Sequence, residues 1–289
     1  MLVSIDGQLV PRAEARVSVF DHGLLYGDGV FEGIRIYERR IFRLDAHLAR
    51  LEASAHAIGL AIPMDRATLA AAVVATVRAN EQANGYIRLV VTRGEGPLGL
   101  DPSTCANPSV IIIVAGLAIY PAEHYASGIR VVTAATRQVP AASVDPRIKS
   151  LNYLKNVLAR MEATQAGASE ALMLNPEGFV AECTADNVFA VSGRRILTPP
   201  ATDGALDGIT GAVIRELALA AGYEWDERRL ARYDLFIADE CFLTGTGAEI
   251  VPMVSLDGRR IGNGEPGPVT RELSTAFRTL AACEGDPVF

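Results

Sequence analysis

The chain reads as an α+β protein, with a small α/β N-terminal domain and a larger C-terminal domain. Three observations lead there. Short runs of alternating apolar residues bounded by Gly, Asn and Asp recur in both halves. Helical periodicities fall between them without a regular βαβ order. Periodicity lapses from about Gly116 to Gly128, around Pro121, which places a junction there and divides the chain into 1–116, a linker 117–128, and 129–289. At 289 residues there is chain enough for two buried cores.

In the N-terminal half, Val3–Ile5, Gln8–Val10 and Ala15–Phe20 are expected as strands, the first two joined through Asp6-Gly7. Gly33–Tyr37 and Ile41–Phe42 form a second expected hairpin. Asp45 is expected to cap a helix that reaches Ile58 and stops at Gly59, and a second helix runs from Asp65 to Asn80. Tyr86–Thr92 and Ser109–Ala115 are two more strands. The C-terminal half opens with a strand at Ile129–Ala134 and a helix over Asn152–Ala166. Strands follow at Ala171–Leu174, Gly178–Glu182 and Asn187–Val191, then a helix from Thr210 to Ala221, strands near Cys241–Leu243 and Glu249–Pro252, and a helix over Val269–Leu280. Residues Glu284 to Phe289 are expected to be loose.

Composition narrows the function. A net charge of −7 with scattered arginine pairs argues against a nucleic-acid surface. The longest apolar run, Val110 to Ile119, is half of what a bilayer span needs, and the N-terminus has no signal pattern, so a cytoplasmic protein is expected. Four separated cysteines give no metal spacing, and no metal is expected. Gly94-Glu-Gly96-Pro-Leu-Gly99 matches a dinucleotide fingerprint, but Pro97, Pro102 and Pro108 oppose the helix that such a site requires.

The two lysines among 27 basic residues, Lys149 and Lys155, both fall in Arg147-Ile-Lys149-Ser-Leu-Asn-Tyr153-Leu-Lys155. Only a lysine amine can lose its proton and condense with a carbonyl. Codon bias would also leave few lysines, so the pattern needs company. Glu182 ends a strand among apolar residues, where a charge either has a partner or is a solvated turn acid. Gly208-Ile209-Thr210-Gly211 opens an amphipathic helix and is either a plain cap or an anion pocket. Thr244-Gly-Thr246-Gly247-Ala248-Glu249 offers a second turn rich in N–H groups. Arg50 shares a small-residue helix face with Ala46, Ala53 and Ala57, aimed at a specific partner or snorkelling to solvent. An imine-forming lysine, a carboxylate for a pyridine nitrogen and phosphate donors are the parts of a pyridoxal-phosphate site.

These segments resemble the class IV pyridoxal-phosphate aminotransferases of fold type IV, and within them the branched-chain amino-acid aminotransferases. The likeness runs from Ser4-Ile-Asp-Gly7 to Gly267-Pro-Val-Thr-Arg271. It is carried by His22-Gly-Leu-Leu-Tyr26-Gly-Asp-Gly-Val-Phe31-Glu-Gly33-Ile-Arg35, Tyr86-Ile-Arg88, the Lys149 segment and the Thr244–Glu249 turn. The resemblance implies a larger domain that is barrel-like, the cofactor between the domains, and at least a homodimer. It implies ping-pong transamination through a Lys149 aldimine, between an apolar L-amino acid and 2-oxoglutarate. By the same likeness Glu182 meets the ring nitrogen and Tyr153 the phenolic oxygen. Arg50, Ile209, Thr210 and Thr246 hold the phosphate. Tyr86 and the Thr246, Gly247 and Ala248 backbone take the α-carboxylate. Phe31, Tyr153 and a partner's Tyr26 and Leu100 wall the side-chain pocket, and Arg88 receives a distal carboxylate.

Cys183, Gly211 and Gly247 depart from the commoner residues of the family without removing a reacting group. D-amino-acid and amine transaminases and aminodeoxychorismate lyase share the lysine, acid and phosphate sites. Tyr86-Ile-Arg88 and the Gly-Pro-Leu-Gly-Leu100 loop favour the branched-chain type. A non-catalytic binder of anionic metabolites would tolerate loss of Lys149, which is present.

Overall fold

In the computed structural model, residues 1–116 and 119–289 are described. The first two positions of the expected linker lie outside the described residues. The chain forms two compact units. One comprises Met1–Leu117, Ile148–Asn152 and Ala281–Phe289, the other Ala118–Arg147 and Tyr153–Leu280.

The elements of the first unit are β1 (Leu2–Ile5), β2 (Gln8–Pro11), α1 (His22–Tyr26), β3 (Gly29–Tyr37), β4 (Arg40–Ile41), α2 (Leu44–Ala57), α3 (Arg66–Ala79), β5 (Gly85–Thr92) and β6 (Ser109–Ala115). In the second unit follow α4 (Ala122–Ser127), β7 (Ile129–Thr133), α5 (Leu154–Gln165), β8 (Glu170–Leu174), β9 (Val180–Cys183), β10 (Asn187–Ser192), β11 (Arg195–Thr198), α6 (Ile209–Ala220), β12 (Glu224–Glu227), α7 (Arg232–Phe236), β13 (Glu240–Gly245), β14 (Glu249–Leu256) and β15 (Arg259–Arg260). The last elements are α8 (Pro268–Cys283) and β16 (Asp286–Pro287).

The first unit is a seven-stranded antiparallel sheet in the order β16-β4-β3-β5-β6-β1-β2. Its period-two pattern sends Val30, Ile34, Ile87, Leu89, Val91, Ile112 and Val114 to one face, packed with Leu48 and Leu51 of α2 and Val73 and Val77 of α3. Each such side chain contributes roughly 1.5–3 kcal/mol on burial. The opposite face carries Phe31, Gly33, Tyr86 and Arg88.

The second unit holds a mixed nine-stranded sheet, ordered β12-β11-β10-β13-β14-β7-β8-β9 with β15 on β14. Leu172, Val188, Leu243, Val251 and Met253 fill its core. The sheet curls into the expected barrel-like form: Val180 N–H, at the β9 edge, donates to Leu230 O (2.8 Å) just past the opposite edge strand β12.

Three local expectations are corrected. Ala15–Phe20 is not a strand. Its alternating apolar residues Val17, Val19 and Phe20 face outward, 47, 68 and 47% exposed, with no sheet to alternate against. Asp45 does not cap α2. Arg43 does, in the left-handed region (φ 52°), and Asp45 sits in the first turn, where its charge suits the helix dipole. The C-terminal residues are not loose: β16 pairs with β4, Val288 is fully buried, and Arg78 donates to its carbonyl.

Candidate active site

In the first unit the segment 148–152 is held against β3. Phe31 N–H donates to Lys149 O (2.9 Å), and Leu151 N–H donates to Gly29 O (2.9 Å). Lys149 N–H donates to Ser54 Oγ of α2 (3.1 Å). These bonds set the Lys149 ammonium 4.7 Å from the centre of the Phe31 ring. Arg88 approaches that ring too, with Cζ at 4.4 Å, and lies 5.5 Å from the Tyr86 ring. The β3–β5 register explains this. Gly33 stands opposite Arg88 and Arg35 opposite Tyr86, so residues 31, 33, 86 and 88 share one face. Burial pushes the Tyr86 phenol pKa up, with the Arg88 charge in opposition.

Arg50 reaches from α2 to Glu32, which faces the helix side of β3. Its Nε and Nη2 donate to Glu32 Oε1 and Oε2 at 2.7 and 2.9 Å, and His47 Nδ1 donates to Oε2 at 2.7 Å. Glu32 is fully buried. Burial alone would raise its pKa. The hydrogen bonds and charges of His47 and Arg50 outweigh it and bring the pKa to about 2. Burial holds the His47 pKa below its usual value against the pull of Glu32, and the Lys149 charge adds to the lowering.

Tyr26 and Leu100, the two residues expected to serve a neighbouring subunit, lie on the surface of this unit. The Tyr26 hydroxyl accepts from Gly99 N–H (3.1 Å), which ties α1 to the glycine-rich loop. Leu98 and Leu100 on that loop are 73 and 81% exposed. No α-helix follows the loop; a single 3-10 turn covers Pro102–Thr104.

In the second unit Glu182 lies on β9 and is buried. Gln138 Nε2 donates to its Oε1 (3.0 Å) and Leu206 N–H to its Oε2 (2.9 Å). Both donors are neutral amides that orient the carboxylate. Tyr153 precedes α5, and its ring centre lies 5.8 Å from Lys155 Nζ. Lys155 donates to Asn156 Oδ1 (2.9 Å), and burial lowers its pKa while Glu182 opposes that shift.

Helix α6 begins at Ile209 with Gly208 as its cap, and no side chain caps it. The first-turn N–H groups of Ile209 and Thr210 therefore have no side-chain cap, at the end of the helix where the dipole favours an anion. Glycine at 208 lets Asn187 approach, because a Cβ there would stand 1.9 Å from Asn187 Oδ1 and the amide would have to shift. Thr246, Gly247 and Ala248 join β13 to β14, with Glu249 left-handed (φ 60°). Beneath that turn a Cβ on Gly245 would meet Asp186 Oδ1 at 2.1 Å. Asp186 and Glu170 share the Tyr120 hydroxyl at 2.9 and 3.2 Å, and burial together with the Glu170 charge raises the Asp186 pKa to about 7.

Glu32, His47, Gln138 and Asp186 did not stand out in the sequence. Glu32 had a signal, a carboxylate inside an apolar strand. Gln138 had none, because it meets Glu182 only once β8 lies between its segment and β9.

In the first unit an amine and a guanidinium converge on one aromatic ring with a phenol alongside, and in the second a carboxylate is buried and a helix N-terminus stands without a side-chain cap. The family described as Amino-transferase class IV matches residues 29–256. A branched-chain-amino-acid aminotransferase of Pseudomonas aeruginosa is 40% identical, over 96% of this chain and 92% of that one. The crystal structure of the Escherichia coli branched-chain amino acid aminotransferase superposes with a TM-score of 0.95 at 33% identity, over 99% of this chain and 96% of that one. The branched-chain amino acid aminotransferase of Thermobaculum terrenum, solved in its PLP-form, superposes with a TM-score of 0.88 at 33% identity, over 97% of this chain and 94% of that one. The chain belongs to the class IV aminotransferase family.

Proposed function

We propose that the protein is a pyridoxal-phosphate-dependent branched-chain amino-acid aminotransferase, which moves an amino group between an apolar L-amino acid and 2-oxoglutarate. The observation that carries the reading is the placement of the Lys149 amine and the Arg88 guanidinium on one ring, Phe31, with Tyr86 alongside. An amine for the chemistry, an apolar wall for the side chain and two carboxylate-binding groups thus share one sheet face.

The residues present fit the cofactor. The uncapped α6 N-terminus suits a phosphate, and the doubly held Glu182 carboxylate suits a protonated ring nitrogen. When bound, pyridoxal phosphate supplies an aldehyde for amines and a ring that stores the electron pair left by a departing α-proton. Lys149 Nζ would anchor it and carry the α-proton of the substrate. Glu182 would keep the ring nitrogen protonated, and Tyr153 would donate to the phenolic oxygen. Arg50, Ile209, Thr210 and Thr246 would hold the phosphate, with Glu32 and His47 fixing the Arg50 guanidinium. Tyr86 and the backbone at Thr246, Gly247 and Ala248 would take the α-carboxylate, and Arg88 the distal carboxylate of 2-oxoglutarate.

A homodimer completes this reading. Phe20, Leu24, Leu25 and Tyr26 are exposed on the segment that bonds to the loop bearing Leu98 and Leu100. An apolar surface of this kind marks an interface, and it would bring Tyr26 and Leu100 to a partner's substrate. No helix among the described residues is long and apolar enough to cross a membrane. A cytoplasmic location suits four cysteines that form no disulfide.

The test is an amino-donor panel with 2-oxoglutarate: L-leucine, D-alanine, D-glutamate and (R)-1-phenylethylamine. L-Leucine is the expected preferred donor. Preference for D-alanine or the amine would overturn the substrate assignment, and no turnover with any donor would overturn the activity.

A further inference from the structure

Gly211 lies in the first turn of α6 and is buried. A Cβ there would meet Phe189 Cζ at 3.4 Å, Asn187 Oδ1 at 3.6 Å and Thr244 Oγ1 at 3.8 Å, all ordinary contacts. Its backbone is helical, so neither strain nor close approach calls for glycine. Glycine inside a helix is unfavourable relative to alanine. What it does here is leave space.

That space adjoins a cavity of 280 Å³, bordered by Asn187, Phe189, Trp225, Arg215, Asp207 and Glu227. None of the residues assigned above to cofactor or substrate lines it. Two polar atoms beside it lack a protein partner. Trp225 Nε1 is buried with no acceptor, and Thr244, fully buried, has its Oγ1 unbonded. Such atoms are costly unless something completes them. Phe189 packs on Trp225 (5.5 Å between centres) and stacks on Phe242 (5.0 Å), so one wall is rigid and aromatic.

The lining holds three kinds of group. Arg215 and the Trp225 N–H suit a carboxylate. Asp207, Glu227 and Asn187 Oδ1 suit an ammonium. Phe189 with Ala181 and Ala205 suits a small apolar body. The volume of 280 Å³ falls just short of the roughly 300 Å³ at which drug-sized sites begin, which restricts it to a small ligand. We propose that this cavity is a second, non-catalytic site for a free α-amino acid with a small apolar side chain. Asn187 Nδ2 donates to Leu206 O (2.9 Å), and Leu206 N–H donates to Glu182. An amino acid bound on Asn187 therefore bears on the segment that orients Glu182 and opens α6.

Trp225 is the only tryptophan in the chain, so its fluorescence reports on this cavity. The holoenzyme in its pyridoxamine form has no carbonyl for an amino acid to attack and is titrated with L-valine. A saturable change in Trp225 emission is expected. Gly211→Met, which fills the cavity, abolishes it. Arg215→Gln, on an exposed position, weakens it on the order of tenfold or more through loss of a charged hydrogen bond. Absence of a saturable change in the wild type would reduce the feature to a water-filled cavity and overturn the proposal. A response unchanged in Arg215→Gln would place the valine elsewhere and do the same, even if Gly211→Met fails to fold.

Discussion

Gly33 leaves the space that the Tyr86 phenol fills: a Cβ on Gly33 would stand 1.9 Å from the Tyr86 hydroxyl oxygen and 2.6 Å from Cζ. The two residues lie diagonally across adjacent strands, so the glycine determines how far the phenol leans over β3. Gly33→Ala is expected to displace Tyr86 and lower kcat/KM for leucine and 2-oxoglutarate alike, on the order of a hundredfold, as misplacement by about an ångström does. The α-carboxylate is common to both substrates. A loss confined to one of them would detach Tyr86 from that role.

Lys149 is expected to carry the cofactor, and the structure makes Lys155 a fair rival, since its amine is half-buried with a lowered pKa. The Lys155 amine, however, is committed to Asn156 on α5. Borohydride reduction of the holoenzyme, followed by peptide mass mapping, should find pyridoxyl on Lys149. A label on Lys155 would reverse the assignment.

Arg88 is expected to separate the two substrates. A carboxylate buried without a cation pays several kcal/mol of desolvation, whereas a leucine side chain needs only the apolar wall. Arg88→Leu should therefore lose far more kcat/KM with glutamate or 2-oxoglutarate than with leucine or 4-methyl-2-oxopentanoate. Equal losses would make Arg88 a brace that packs Phe31 to Tyr86 and nothing more.

Glu32 predicts a pH dependence of stability. Its folded pKa of about 2 lies below the ordinary 4.5. The stability it contributes is therefore complete above the ordinary value and is lost as pH falls from about 5 toward 2. A shift of this size corresponds to roughly 3 kcal/mol. Glu32→Gln should be less stable at neutral pH by that order, and its deficit in denaturant midpoint should shrink on acidification. A deficit independent of pH would mean that shape, not charge, is what Glu32 supplies.

Much of this was legible in the sequence wherever periodicity and chemistry agreed. The strand Ser109–Ala115 has its expected bounds, and the helix over Asp65–Asn80 differs only in that both ends are caps. What escaped was non-local. Ala15–Phe20 alternates like a strand, yet nothing in the sequence reports that no sheet lies beside it. The short edge strand β12, Glu224–Glu227, exists because it pairs with β11, Arg195–Thr198, a contact across 25 intervening residues of chain. The candidate reacting groups, Lys149 and Glu182, drew attention by residue type and context. The groups that orient the candidates, Gln138 for Glu182 and Glu32 with His47 for Arg50, become visible only once separate segments meet.

The last strand has a consequence for the order in which the protein can be made. Val288 is buried against β-structure that begins near residue 2, and Arg78 bonds its carbonyl. A nascent chain emerging from the ribosome thus carries an N-terminal unit whose sheet lacks its closing edge until residues 286–288 have been made. The edge of β4 stays open while the whole second unit is made, so the unit that emerges first closes after the one that follows it.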